Sequence, residues 1–113
     1  MSNDMAAVIP TQLFPGYTFA NNSITIPITD LPGLTAAEAD PATGNAMEIV
    51  RTLLEKTQVQ LTALTPETRP TRATLTKAQP SIALGVGIAP GTLRQSYTAT
   101  FDLTPTGLEP AAE

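Results

Sequence analysis

NAMEIVRTLLEKTQVQLTAL, residues 45–64, is the stretch on which the reading of the fold turns. Val50, Leu53, Leu54, Thr57, Leu61 and Leu64 recur at intervals of three and four, with Met47 and Ile49 widening the stripe at its start. Glu48, Arg51, Glu55, Gln58 and Thr62 fall mostly on the rest of the circumference. That periodicity predicts an amphipathic helix of about 20 residues. Asn45 stands in N-cap position with Glu48 three residues on, a start signal for the helix. Pro66 stops it, because the residue before a proline is driven out of the α region.

Around this helix the pattern changes to a period of two. After it, Ala73, Leu75 and Lys77 alternate with Thr74 and Thr76 until Gln79-Pro80 interrupts. From Thr92 to Leu103, apolar Leu93, Tyr97, Ala99, Phe101 and Leu103 alternate with Arg94, Ser96, Thr98, Thr100 and Asp102, and Gln95 alone breaks the apolar face. This predicts an antiparallel strand with one side covered. Between them, Ile82, Leu84, Val86 and Ile88 alternate with Ala83, Gly85, Gly87 and Ala89. The glycines weaken a strand interior, so this segment reads either as a strand or as an apolar loop tip that another chain covers.

Before the helix, Tyr17 to Phe19 opens a strand, Asn21-Asn22 signals a turn, and Ile24, Ile26 and Ile28 alternate with polar or turn residues. Pro27 cannot donate to a ladder, so that strand is an edge or ends near it. Asp30-Leu31-Pro32-Gly33 is a turn, and Thr35 with Glu38 has the form of a capping box. The expected fold is α+β: one long helix packed on a small, mainly antiparallel sheet, with extended N- and C-terminal arms. Residues 1–16 form the N-terminal arm, 17–104 a single domain and 105–113 the C-terminal arm.

Composition narrows the function. Of 113 residues, 42 % are apolar and only 14 % charged, against about 25 % in ordinary soluble domains. A low-charge surface suits a protein largely covered by neighbours. Nineteen threonines, eleven prolines and seven glycines favour strands, turns and extended segments. A net charge of −4 with two Lys and four Arg leaves no cluster to neutralise phosphates, which argues against direct nucleic-acid binding. Met1 to Pro10 lacks the basic and apolar regions of a secretory signal. The longest apolar stretch, Ile82 to Pro90, falls far short of the roughly 20 residues of a membrane helix.

Catalytic chemistry finds few residues to work with. There is no His and no Cys, so the commonest general base, the commonest metal ligand and thiolate chemistry are all missing. Glu48 and Glu55 are seven apart and share a helix face, the one arrangement that would present paired acids, as in a small cellular binding module or an acidic enzyme site. With Arg51 and Lys56 beside them they read as a solvated ion-paired face. Gly85 to Gly91 approaches a phosphate-binding pattern, but Pro90 occupies a required glycine position and no Lys-Ser or Lys-Thr follows Gly91. No catalytic, cofactor or metal site is expected.

Thr35-Ala-Ala-Glu-Ala-Asp40, the long helix, Arg69-Pro-Thr-Arg-Ala-Thr74 and Arg94-Gln-Ser-Tyr-Thr-Ala-Thr-Phe101 together resemble small virion proteins of tailed bacteriophages: low in charge, rich in Thr, Ala and Pro, free of Cys. The type most similar is a cement or decoration protein on the outside of a capsid shell. The resemblance implies a location in the virion, a symmetric partner such as the major capsid protein, many copies with self-contacts, and no catalysis. A tail or head–tail connector component is the alternative, with Ile82 to Gly91 as an assembly loop. In the cement reading the arms lie across seams between shell subunits. Val8, Ile9, Leu13, Phe14 and Tyr17 are then the expected partner contacts, with Leu108 at the other end, because their apolar side chains stand in segments that cannot build a core alone.

Overall fold

A computed structural model of the chain describes residues 8–105 and 107. In chain order the elements are α1 (Pro10–Leu13), β1 (Thr18–Ala20), β2 (Ser23–Thr25), α2 (Ala46–Ala63), β3 (Ala73–Lys77), β4 (Ser81–Ile82), β5 (Leu93–Arg94) and β6 (Tyr97–Phe101). The α+β class stands, with one long helix and antiparallel pairing in every ladder.

The start and stop of α2 follow from its ends. Asn45 Oδ1 accepts the Glu48 amide at 3.2 Å, satisfying one of the donors a helix start leaves open. At the other end, Thr65 is extended before Pro66, and the Arg69 guanidinium donates to the Leu64 carbonyl at 2.9 Å and the Thr62 carbonyl at 2.8 Å. The threonines that lower helix propensity are internally satisfied: Thr57 donates to the Leu53 carbonyl at 2.7 Å and Thr62 to the Gln58 carbonyl at 2.8 Å.

β1 and β2 form a two-residue hairpin. Asn21 and Asn22 both take positive φ, 51° and 58°, as the tight turn matching strand twist requires. The alternation Ile24–Ile28 does not continue as one strand: β2 ends at Thr25, Pro27 follows, and residues 28–30 curl into a 3-10 turn. The capping box is realised in full, with Glu38 N–H donating to Thr35 Oγ1 at 3.2 Å and Thr35 N–H to Glu38 Oε1 at 3.0 Å. Asp40 then accepts the Ala42 and Thr43 amides at 2.8 and 2.9 Å, which holds its carboxyl below the usual range. This turn presses Gly44 onto the Glu38 and Asp40 carbonyl oxygens, with no room for a Cβ.

The sheet departs from expectation. Among the described residues it is divided into three two-stranded ladders: β1–β2, β3–β6 and β4–β5. The last two belong to one long hairpin, with Lys77 opposite Tyr97 and then Ser81 opposite Arg94. The first strand therefore has one residue more than the second across the gap, a bulge. Pro80 and Gln95 explain the break. Proline has no amide to offer, and the Gln95 side chain turns inward to donate to the Ala78 carbonyl at 2.6 Å, bridging the gap where the ladder fails. The single strand expected over 92–103 is thus cut in two at the one residue that broke its apolar face.

The N-terminal arm is also not extended over its described part. Pro10–Leu13 make one helical turn that packs on α2, with Gln60 Nε2 donating to the Gln12 carbonyl at 3.0 Å. Gly16 N–H donates to Asp30 Oδ2 at 2.7 Å, tying the arm to the turn that follows β2.

Candidate functional site

Two surfaces were candidates from the sequence: the helix face bearing Glu48 and Glu55, and the apolar arms and loop.

On the helix, the two carboxylates are engaged separately. Arg51 donates to both oxygens of Glu48, each at 2.8 Å, which keeps the Glu48 carboxyl below its usual range and the guanidinium firmly protonated. Glu55 accepts the Tyr97 hydroxyl and the Lys77 ammonium, the latter at 2.9 Å. The Tyr97 bond, followed by the Lys77 bond, lowers the Glu55 pKa. Burial and the bond to Glu55 raise that of Tyr97. Both acids are held ionised by partners, so neither is poised to exchange a proton near neutrality. The Glu55–Lys77–Tyr97 cluster instead joins α2 to the hairpin. Among the described residues no group of three His, Cys, Asp or Glu side chains is placed to hold a metal ion. No helix among them is long and apolar enough to cross a membrane.

The apolar surface is the larger feature. Among the described residues only Leu31, Leu34 and Ala83 are buried apolar side chains, and the one side chain with no exposure is Thr52, whose hydroxyl donates back to the helix carbonyls. Thirteen large apolar side chains among the described residues remain exposed. Isolated exposed apolar residues are ordinary on a monomer; contiguous apolar patches mark contact sites.

Three such patches are built by the fold. The β1–β2 hairpin pairs Phe19 with Ile24, and both stand open. The far end of the long hairpin is a finger. Ala83 N–H donates to the Thr92 carbonyl at 2.8 Å and Ile88 N–H to the Gly85 carbonyl at 3.3 Å, which closes the tip and covers Ala83. Leu84 is then 82 % exposed and Val86 wholly exposed. Residues 78–93 contain no charged side chain, and Lys77 and Arg94 bracket them at the base. The third patch is a cleft of about 270 Å³ where α1, α2, β3 and β6 meet, lined by Leu13, Leu54, Leu61, Leu75, Ala99 and Phe101 among others, none of them charged.

The residues expected as partner contacts divide accordingly. Val8 and Leu13 line this chain's own cleft. Leu13, Phe14 and Tyr17 are half-buried, Ile9 is exposed, and Leu108 lies outside the described residues. The Ile82–Gly91 loop is the finger itself. The cleft was not foreseen, because it is made by four separate elements whose meeting no local pattern encodes.

Comparison with protein-family models, with curated proteins and with solved structures finds no match. Function is therefore argued from this chain's own geometry.

Proposed function

We propose that this protein is a non-enzymatic structural subunit of a virion, a cement or decoration protein that binds and stabilises a phage capsid shell. The observation that carries the reading is the imbalance between three buried apolar side chains and thirteen large exposed ones among the described residues. A chain so made gains from association what its small interior does not supply, at roughly 25 cal/mol for each Å² of apolar surface covered. Such a subunit stabilises a shell by binding its assembled state and not its separated parts, so that many modest contacts add over the symmetric surface. The low charge and the resemblance in style to tailed-phage virion proteins support the same reading. The arm is held at two points, the Gln12 carbonyl on α2 and the Gly16 amide on Asp30, which leaves Ile9 open for contact. The exposed β1–β2 hairpin and the finger supply the outward contacts.

A second reading, a tail or head–tail connector component, is favoured by the finger, whose uncharged tip suits insertion between neighbouring subunits. The test is co-sedimentation of purified full-length protein with gradient-purified particles stripped of it. Saturable binding in near-stoichiometric ratio to the shell protein supports cement. Binding of a few copies at one vertex replaces it with the connector reading, and no binding overturns both.

A further inference from the structure

Finger and cleft are complementary features at opposite ends of one hairpin. The cleft lies where β3 and β6 begin their ladder, at Ala73, Leu75, Ala99 and Phe101. The finger lies beyond the second ladder, past Ile82 and Leu93. Leu84 is nine residues along the strand direction from Leu75, up to about 30 Å if extended. A molecule built this way has a knob at one end and a matching recess at the other.

We propose that the finger of one copy seats in the cleft of a second copy, joining subunits head to tail; this rests on the structural-subunit reading above and names the partner of its exposed loop. Two observations carry the choice of occupant. The recess holds about 270 Å³. Since a pocket of about 150 Å³ takes a benzene-sized group, it has room for roughly two aliphatic side chains, and Leu84 and Val86 are two, one glycine apart. Both surfaces are free of charge, so neither a buried ion nor an unpaired one results. Area sets the strength. Leu84 and Val86 leave open about as much apolar surface as two wholly exposed aliphatic side chains, roughly 200 Å². With the cleft wall they meet, one junction covers on the order of 300 Å² in total, far below the standard size for a stable pair.

A single junction is therefore weak. Because the contact is between different patches, it does not saturate in a dimer: it closes into a ring or continues as a filament, and ring closure adds one further junction so that every subunit holds two. A copy bound on a symmetric shell gains the same advantage from its neighbours.

The test uses the full chain and two variants in sedimentation velocity, from about 1 µM to about 1 mM. L84D/V86D alters side chains that are open to solvent, so circular dichroism should match the parent. Ala99→Arg puts a long charged side chain into the cleft from an exposed strand position, and Ala73→Arg repeats this from the same face of β3 if the first perturbs the fold. The parent is expected to grow in mass with concentration, while each variant alone stays monomeric, at least tenfold weaker in association. Mixed together, the finger variant's intact cleft and the cleft variant's intact finger should form a 1:1 dimer that goes no further. A mixture that stays monomeric, or variants that associate like the parent, overturns the proposal. So does a parent that stays monomeric while binding lipid vesicles through Leu84 and Val86. A parent that stays monomeric yet binds stripped particles removes the self-contact and leaves the structural-subunit reading in place; one that does neither removes both.

Discussion

Replacing Tyr97 with Phe removes one hydroxyl at the junction between α2 and the long hairpin. That hydroxyl donates to Glu55, whose carboxylate also holds Lys77 at 2.9 Å. A hydrogen bond to a charged acceptor contributes about 1.5–3 kcal/mol when sheltered. Tyr97 is half-buried and the Glu55 side chain 18 % exposed, so solvent screening brings the expected loss to about 1–2 kcal/mol. For a chain of this size that lowers Tm by about 5 °C or more. Urea unfolding followed by circular dichroism at neutral pH reads it directly. The effect has a pH signature with two edges. The lowered Glu55 pKa gives stability that is present above the ordinary glutamate range and lost as pH falls through the folded value. The raised Tyr97 pKa gives stability that is present below the ordinary phenol range and lost as pH rises through the folded value. The difference between parent and Y97F should be widest between these limits and shrink at both ends. A difference below about 0.3 kcal/mol at neutral pH, or one that does not change on acidification, refutes the reasoning.

Other perturbations follow from the local geometry. Asn45→Ala removes the cap of α2 and should cost about 1 kcal/mol in urea unfolding, with Asn45→Ser restoring most of it. Gly44→Ala drives a methyl group into the Glu38 and Asp40 carbonyls, so a loss of about 2 kcal/mol or more is expected; a neutral result would mean the turn between them is not closed as described. The finger variant L84D/V86D should change the free energy of unfolding by less than about 0.5 kcal/mol, since both side chains are already open to solvent.

Where signals are local, the sequence carries them plainly. Asn45 with Glu48, Thr35 with Glu38, Asn21-Asn22 and Pro66 each act within four positions along the chain, through a bond, a turn conformation or a steric limit, and each appears in the fold as its pattern predicts. Burial was far less legible. The alternation of Leu93, Tyr97, Ala99 and Phe101 promises a covered face, yet Phe101 and Leu93 are exposed and the strand is cut at Gln95. Period-two patterning states which side is apolar, not what covers it, and here too little of the chain lies over that side. The same gap hid the cleft, which needs Leu13, Leu54, Leu75 and Phe101 brought together from four elements. The Glu48–Glu55 pair was readable as an ion-paired face, but Tyr97 and Lys77 as the partners of Glu55 were not, because 42 and 22 residues separate them in the chain.

The most direct test of the central claim is quantitative mass spectrometry of gradient-purified particles from the source organism. If the protein is a structural subunit that decorates a shell, it co-sediments with the particles in hundreds of copies, near-stoichiometric with a major shell protein. Absence from the particles, with the protein recovered only as a free species, contradicts the account.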